Sequence, residues 1–525
     1  MARHIEEPSV DFSPFQTEGE ELRAFDALQK NLLPYYRAFI EDQRREHTVV
    51  VVPSLTLHPG ELAKIPGVEH YEERLLTQLM VLRYPCTRVI YVTSRAIDPV
   101  TIDYYLHLLQ GVPVSHARKR LLLLDTHDTS PLSLTEKILR RPRLIERIRQ
   151  AIPAPYMGHV ACFNSTDLER KLALRIGLPL YATDPQLADL GTKSGSRRVF
   201  KEAKVPVPAG REDLRDTRDL VEGMAELWSE EPDARRYVVK LNEGFSGEGN
   251  AVLDRKRLGE LPATASSRWK KVEEALPLLK FEAADETWER FSARYDEMGG
   301  ICETWIDGED KRSPSVQCRI SPDRRPVIIS THDQILGGPS GQIFLGCRFP
   351  ADQEYRIQVQ ESAERIAEVL VDEGVLGRFG IDFVVARNGD RWDTFAIEIN
   401  MRKGGTTHPY QMLRFLTHGS YDMGHGLFRS QSGRLKYYRA TDNLVSPRYK
   451  GLLPDDLIDI AVYNGIHFSP LEEEGVTFHL IGTLSQFGKV GMTCIANSYE
   501  RADELYAKTS EILMAETKRT MHSPY

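Results

Sequence analysis

Six cysteines in 525 residues are too few and too scattered to act as a framework. Cys86, Cys162, Cys302, Cys318, Cys347 and Cys494 form no CxxC pair, which excludes a zinc-knuckle spacing and a disulfide scaffold and reads as free, buried thiols in a reducing cytoplasm. No run of about 18 apolar residues occurs, so no segment is expected to span a membrane. An excess of positive charge is also missing. Lys and Arg number 68 against 76 Asp and Glu, a net −8, and non-specific nucleic-acid binding needs a basic surface that this balance does not supply. The first residues, MARHIEEPSVDF, place acids where a signal peptide needs an apolar stretch. Internal repeats and low-complexity tracts are lacking as well, which removes solenoids and disordered arrays.

What remains is an ordinary globular composition, 41% hydrophobic and 27% charged, with room for about three domains. Over residues 1–190, short apolar runs alternate with amphipathic segments. The runs are His47–Leu57, Thr87–Thr93 and Arg120–Asp125, and continuous Val/Ile/Leu stretches of this kind suit parallel strands buried on both faces. A helix over Val100–Gln110, closed by Gly111, lies between two of them, so this part reads as an open α/β domain. Residues 191–430 break into strands and polar loops, with a charged helical stretch over Arg255–Glu297 and strands from Ile301 to Met401. Residues 431–525 form a small α+β unit. There Phe478–Ile495 reads as two strands around a Gly488-Lys489 turn, followed by a helix capped by Ser498.

Four segments carry chemistry. In YVVKLNEGFSGEGN (Tyr237–Asn250) a strand delivers Lys240 into a loop with Gly244, Ser246, Gly247 and Gly249, and glycines let backbone N–H groups approach a phosphate closely. No Gly-Lys-Ser/Thr follows, so it is not a Walker A loop. In DTFAIEINMR (Asp393–Arg402) alternation sets Phe395, Ile397, Ile399 and Met401 on one face and Glu398, Asn400 and Arg402 on the other. A carboxylate and an amide oxygen so placed suit a hard cation such as Mg²⁺, and Arg402 beside them suits an anion. The preceding strand, IDFVVA, carries Asp382. A hairpin loop centred on Asp390 sets Asp382 opposite Glu398, whereas a two-residue Asn388-Gly389 turn moves it to the wrong face, so the metal pair requires the longer loop. Fourth, ICETWIDGED (Ile301–Asp310) ends an apolar strand in an acidic turn, where backbone could meet an adenine edge and a carboxylate could accept from ribose hydroxyls. Gln317 and Arg319 alternate on one strand face and could point at a reaction intermediate. His332 in STHDQ stands at a strand end and could accept a proton, and His408 in GGTTHP follows the metal strand on what would be the substrate side.

Taken in order, Lys193 in GTKSGSRRVF, VPVPAG at 205–210, Lys240 with its glycine loop, ETWIDGED, and Asp382 with Glu398-Ile399-Asn400 resemble the ATP-grasp superfamily. IEINMRKGGTTHPYQ and the C-terminal FHLIGTLSQFGKVGMTCIANSYERADELY are similar, more narrowly, to the pheganomycin-type peptide ligases. The resemblance implies an α/β N-terminal domain followed by an α+β ATP-grasp fold and a small α+β C-terminal domain. It implies ATP-dependent joining of a carboxylate to an amine through an acyl phosphate, with ADP released. Lys193 and Lys240 would hold ATP phosphates under the Gly244–Gly249 loop. Glu303 would lie at the adenine pocket, with main chain near Trp305 and Ile306 pairing to the base and Asp310 or Glu309 on the ribose. Asp382, Glu398 and Asn400 would bind Mg²⁺, and Arg402 would steady the transferred group, with Lys240, Arg319 and His332 as further catalytic candidates. Partners would be small carboxylates and amines, such as amino acids or short peptides, and a homodimer is the assembly the resemblance suggests, the sequence itself fixing no oligomeric state. An acceptor other than an amine, or a nucleotide-binding regulator without catalysis, is compatible with the same motifs.

Overall fold

The computed structural model describes residues 12–57, 62, 65–154, 156–244, 249–283, 286–337, 341 and 343–520. They divide into two compact units, one of residues 1–185 with 453–455 and 480–487, the other of 186–452, 456–479 and 488–525. Among the described residues no helix is long and apolar enough to cross a membrane. All six cysteines are free. Five are buried as expected, but Cys86 is exposed, because it lies in the turn just before a strand rather than within one.

In the first unit the three apolar runs are strands: β1 (His47–Val52), β2 (Thr87–Thr93) and β3 (Leu121–Asp125), joined by β4 (Gly158–Cys162) in an all-parallel sheet ordered β3-β2-β1-β4. Every residue of β1 is buried, whereas β3, at the sheet edge, is partly exposed. The helix expected over Val100–Gln110 is shorter, Pro99–His107, with Gly111 beyond it at φ 74°.

This unit holds a carboxyl away from water. Glu72 accepts from the Ser94 N–H at 2.6 Å and from its hydroxyl at 2.5 Å, while Lys137 Nζ donates to the same hydroxyl at 3.0 Å. Burial pushes the Glu72 carboxyl up to about 7, the Ser94 bonds and Lys137 only partly opposing it. A folded-state value raised above the ordinary 4.5 means that this group's contribution to stability is present in full below about 4.5 and is lost as the pH rises to about 7. The stability difference between wild type and Glu72→Gln, measured by urea unfolding at pH 5, 6 and 7.5, should therefore shift against the wild type by about 1 kcal/mol per pH unit and level off above pH 7. A difference that does not vary with pH refutes the assignment.

The second unit contains two sheets. The smaller, ordered β5-β9-β6-β7-β8, comprises β5 (Gly210–Leu214), β6 (Arg236–Leu241), β7 (Asn250–Asp254), β8 (Lys280–Phe281) and β9 (Gly300–Thr304). The charged stretch after β7 forms two helices, Ala265–Ala275 and Trp288–Met298, with β8 between them. The larger, eleven-stranded sheet contains β10 (Lys311–Arg312), β11 (Pro314–Ile320), β12 (Pro326–Gly337), β13 (Ile343–Phe349), β14 (Gly377–Asn388), β15 (Arg391–Asn400), β16 (Ser420–Asp422), β17 (Leu427–Arg429), β18 (Leu435–Val445), β19 (Gly475–His479) and β20 (Lys489–Ala496). The helix Arg356–Asp372 buries Val359, Ala363, Ile366 and Leu370, spaced as one helical stripe, in a core with Val316, Cys318 and Ile320 of β11 and Phe379, Ile381 and Phe383 of β14. Alternation then turns Ser315, Gln317 and Arg319, and Arg378, Gly380 and Asp382, to the opposite face.

β19 and β20 pair antiparallel as expected, but not through a Gly488-Lys489 turn. Residues 481–487 wind into helical turns instead. Leu480, Ile481 and Leu484 are fully buried, and an apolar spacing of three to four residues follows a helical period rather than the period of two that a strand needs. Ser498 does cap the last helix, its hydroxyl accepting from the Arg501 N–H at 3.2 Å.

Candidate functional site

The hairpin β14–β15 sets the site. Asp382 stands opposite Glu398 and Gly380 opposite Asn400, the pairing the metal reading demanded. The longer loop expected to produce it is absent. Asn388 pairs with Arg391 across a two-residue Gly389-Asp390 turn, Gly389 at φ 61°, and this register alone would leave Asp382 facing the wrong neighbour. A β-bulge corrects it. Between Phe383↔Ala396 and Asp382↔Glu398 one residue of β15, Ile397, is passed over, and the register steps by one. The step also reverses which side chains face the core. Trp392 and Ala396 before the bulge, and Ile399 and Met401 after it, pack into the same cluster. Phe395 and Ile397 therefore do not share the face of Ile399, contrary to the expected strict alternation, while Glu398 and Asn400 do share theirs.

Two hydrogen bonds hold β15 along its outer edge: Ala396 N–H to the Pro206 carbonyl at 2.9 Å, and Ile399 N–H to Ser196 Oγ at 3.0 Å. Ser196 belongs to the helix Lys193–Glu202, whose first turn is capped by Thr192 and tied to the end of β6 by Asn242. Lys193 thus sits at the positive end of a helix dipole, an unfavourable place for a cation, and its Nζ lies 2.6 Å from Glu398 Oε1. On the small sheet, Lys240 Nζ lies 2.5 Å from Glu303 Oε1, and Arg197 Nη1 lies 3.0 Å from Glu303 Oε2. Arg197 went unnoticed in the sequence although it lies four residues after Lys193 on the same helix face. It is 2% exposed, and it also donates to Glu212 and to the Pro208 carbonyl.

Asp382 accepts from Gln334 Nε2 and from Asn400 Nδ2, each at 2.9 Å. Burial, and then the Glu398 charge, push its carboxyl up to about 6. Burial would raise Glu398 too, but Lys193, and then Arg402 and Lys240, hold it below the ordinary glutamate value. Two carboxylates facing each other beside an amide oxygen make a hard donor set that fits a divalent cation such as Mg²⁺, which would relieve the repulsion raising Asp382. Arg402 lies two residues beyond Asn400, close enough for its charge to act on both Asp382 and Glu398.

Across the large sheet the site is arranged in rows. One row is Ser315–Asp382–Glu398; the next is Gln317–Gly380–Asn400. Gly380 is a bare floor: a Cβ there would lie 2.8 Å from Gln317 Nε2. Gln317 Oε1 in turn accepts from Thr407 on the helix Thr407–Thr417 at 3.1 Å. In the other direction along β14 come Val385 and Ala386, paired with Arg312 and Lys311. Here Arg236 and Lys311 each lie over the Trp305 ring, 4.4 and 4.1 Å from its centroid. The Trp305 N–H is already donated to the Arg236 carbonyl at 3.0 Å, so of the main-chain groups expected at a base edge this one is taken. Asp310 is flanked by Arg312 at 2.6 Å and Arg387 at 3.9 Å, while Glu309 is exposed.

Other expected residues lie elsewhere or beyond description. Ser246 and Gly247 fall outside the described residues. Gly244 and Gly249 form the neck of that loop, a Cβ on either lying 3.3 Å from the other's backbone, and Leu241 N–H donates to the Gly249 carbonyl. His332 is fully buried, its Nε2 2.6 Å from the Tyr438 hydroxyl and its ring against Phe349, and burial lowers it to about 3. His408 is placed beside Asp442 and His479. Its Nε2 lies 3.1 Å from Asp442 Oδ1, and His479 Nε2 lies 2.8 Å from the same oxygen. The three donor atoms are close enough to hold a metal ion, and two imidazole N–H groups on one carboxylate satisfy them equally.

Residues 185–424 match the family described as IQCH-like, ATP-grasp, and residues 456–509 match the PGM1 C-terminal domain. The chain is 32% identical over 478 residues to L-propargylglycine–L-glutamate ligase of Streptantibioticus cattleyicolor, covering 89% of this chain and 94% of that one. It is 24% identical over 417 residues to IQ motif-containing protein H of Danio rerio, covering 71% of this chain but only 39% of that protein's length. Among solved structures, the biotin carboxylase domain of Hydrogenobacter thermophilus 2-oxoglutarate carboxylase, with MgADP, ADP and bicarbonate, is similar at a TM-score of 0.53 and 12% identity, over 88% of this chain and 89% of that one.

Proposed function

The chain belongs to the ATP-grasp ligases, and on that premise we propose that it activates the carboxylate of one amino acid or short peptide as an acyl phosphate and passes it to the amine of another. Its fold is the expected succession of an α/β domain, an ATP-grasp fold and a small α+β C-terminal part. Its activity is ATP-dependent ligation of a carboxylate to an amine. The observation that carries the finer reading is the pairing of two site carboxylates with lysines, Lys193 on Glu398 and Lys240 on Glu303, beside Asp382, whose partners are amide donors. A slot in which buried cations and acids neutralise one another is matched by a polyanion arriving with a divalent cation, each taking one half of the pairs.

In that exchange Lys193 and Lys240 turn to the ATP phosphates. Asp382, Glu398 and the Asn400 amide would hold Mg²⁺, which when bound neutralises phosphate charge. The base lies against the Trp305–Ile306 main chain, where Ile306 and the Trp305 carbonyl serve because the Trp305 N–H is engaged. Glu309 or Asp310 takes the ribose. Arg402 grips the oxygens of the group in transfer. A carboxylate is a poor electrophile, phosphorylation gives it a leaving group, and the protein's part is positioning and charge stabilisation. Six free thiols, five of them buried, are in keeping with a cytoplasmic enzyme.

Incubation with ATP, Mg²⁺ and pairs of amino acids and dipeptides, L-glutamate among them, should release ADP with at least one pair. Mass spectrometry should find a product equal to the two substrates less one water. ATP binding without ADP release for any pair would put a regulatory nucleotide binder ahead of the ligase, and a thioester mass would change the acceptor.

A further inference from the structure

The rows of the large sheet continue past the reacting centre. Beyond Gln317–Gly380 the next residues on the same face are Arg319 of β11 and Arg378 of β14, directly opposed. Like charges set opposite one another across a sheet are destabilising. Arg319 Nε is buried with no hydrogen-bond partner among the described residues, a second cost of the same kind. A third guanidinium, Arg414, comes down from the helix Thr407–Thr417. Arg414, Arg378 and Arg319 all bear on the buried Tyr410 hydroxyl, pulling against the burial that pushes it up to about 12. Cations gathered round an unsatisfied donor mark a place for an anion.

That anion is not a phosphate of ATP. Along β14 the order is Ala386 at the base end, Asp382 in the carboxylate row, Gly380, then Arg378. At about 3.4 Å per residue, Arg378 lies about 14 Å beyond Asp382 and about 7 Å beyond the Gly380 floor, on the side away from the base. A molecule whose reacting carboxyl sits over Gly380 near Arg402 reaches the arginine pair with about two further residues' length of chain, since an extended residue spans about 3.5 Å.

Resting on the ligase reading above, we propose that Arg319 and Arg378 form a clamp for a substrate carboxylate that does not itself react, so that the enzyme selects a substrate bearing this second acid group. Two planar guanidinium forks can hold the two oxygens of one carboxylate, an arrangement lysine cannot reproduce. The carboxylate belongs either to the activated substrate or to the amine substrate. The chemistry is the same in both cases, and the kinetics below separate them.

For the pair that releases ADP, each non-reacting carboxylate is replaced in turn by a carboxamide. The expected result is a KM at least about tenfold higher for one of the two substrates with the wild type, as loss of a charge-assisted contact implies. Arg319→Gln and Arg378→Gln should raise the KM for the same substrate by a similar factor, leave the KM for ATP within about twofold, and no longer distinguish acid from amide. Arg319→Lys should recover only part of the loss. The substrate showing the effect identifies the source of the carboxylate. Unchanged KM values, or acid and amide told apart as well by the variants as by the wild type, overturn the clamp. If the wild type releases ADP with no pair, the ligase reading fails, and calorimetric titration with glutarate then decides the clamp: binding lost in Arg319→Gln sustains it, and no binding by the wild type overturns it.

Discussion

Glu398→Gln should lower the rate of ADP release by about 10²–10³-fold, the loss typical of removing one preorganised charge contact to a transition state. The substitution keeps size and shape, so the register of β15, fixed by the bulge at Ile397 and by the Ala396 and Ile399 edge hydrogen bonds, is untouched. What changes is charge. Lys193 keeps an amide oxygen to donate to, but a cation held between Asp382 and residue 398 would lose one of its two carboxylates. The stability cost should be only about 1–2 kcal/mol, because Glu398 is 24% exposed and the amide still accepts. A second readout is independent of turnover. Burial and then the Glu398 charge hold Asp382 at about 6, so in the variant Asp382 should titrate lower, visible by carboxyl NMR in the metal-free protein. Wild-type turnover at saturating Mg²⁺, with Asp382 unmoved, would remove both residues from the cation site.

Arg402→Lys should separate chemistry from nucleotide binding. Arg402 follows Asn400 on the side of the Gly380 floor, away from the Trp305 end. Its contact should therefore matter most while the phosphoryl group is passing to the carboxylate. Lysine retains the charge but not the two-pronged fork, so kcat should fall about 10²-fold while the Kd for ATP, read by titration, changes less than about threefold. The opposite pattern, ATP affinity lost and kcat kept, would make Arg402 a ground-state anchor for the nucleotide.

The parts of this fold that obey local rules were legible. β2 spans Thr87–Thr93, as its apolar run indicated, and the α/β character of the first unit followed from runs too continuous to be half-exposed. The opposition of Asp382 and Glu398 was legible too, but for the wrong reason. The turn is two residues long, and the bulge that rescues the pairing depends on Ser196 and Pro206, roughly two hundred residues upstream, which no window around the hairpin contains. Long-range partners also hid Arg197, whose importance lies in Glu303 and Glu212 rather than in its own helix. The same is true of His332, a strand residue whose burial is decided by Phe349 and Tyr438. Nor did the 480–487 segment betray its helical turns while the glycine after it suggested a tight hairpin.

The bulge has a consequence for how this protein can change over generations. Hairpin tips gain and lose residues readily, and in an ordinary hairpin each single insertion would flip every side chain down to the strand ends. Here the segment from Ile399 onward is fastened from outside the hairpin, and one spare residue at Ile397 already takes up an odd count. Length variation at Gly389-Asp390 can thus be absorbed before it reaches Glu398. A deletion at Ile397 cannot, because it removes the only slack between a tip free to vary and a reaction centre that is not.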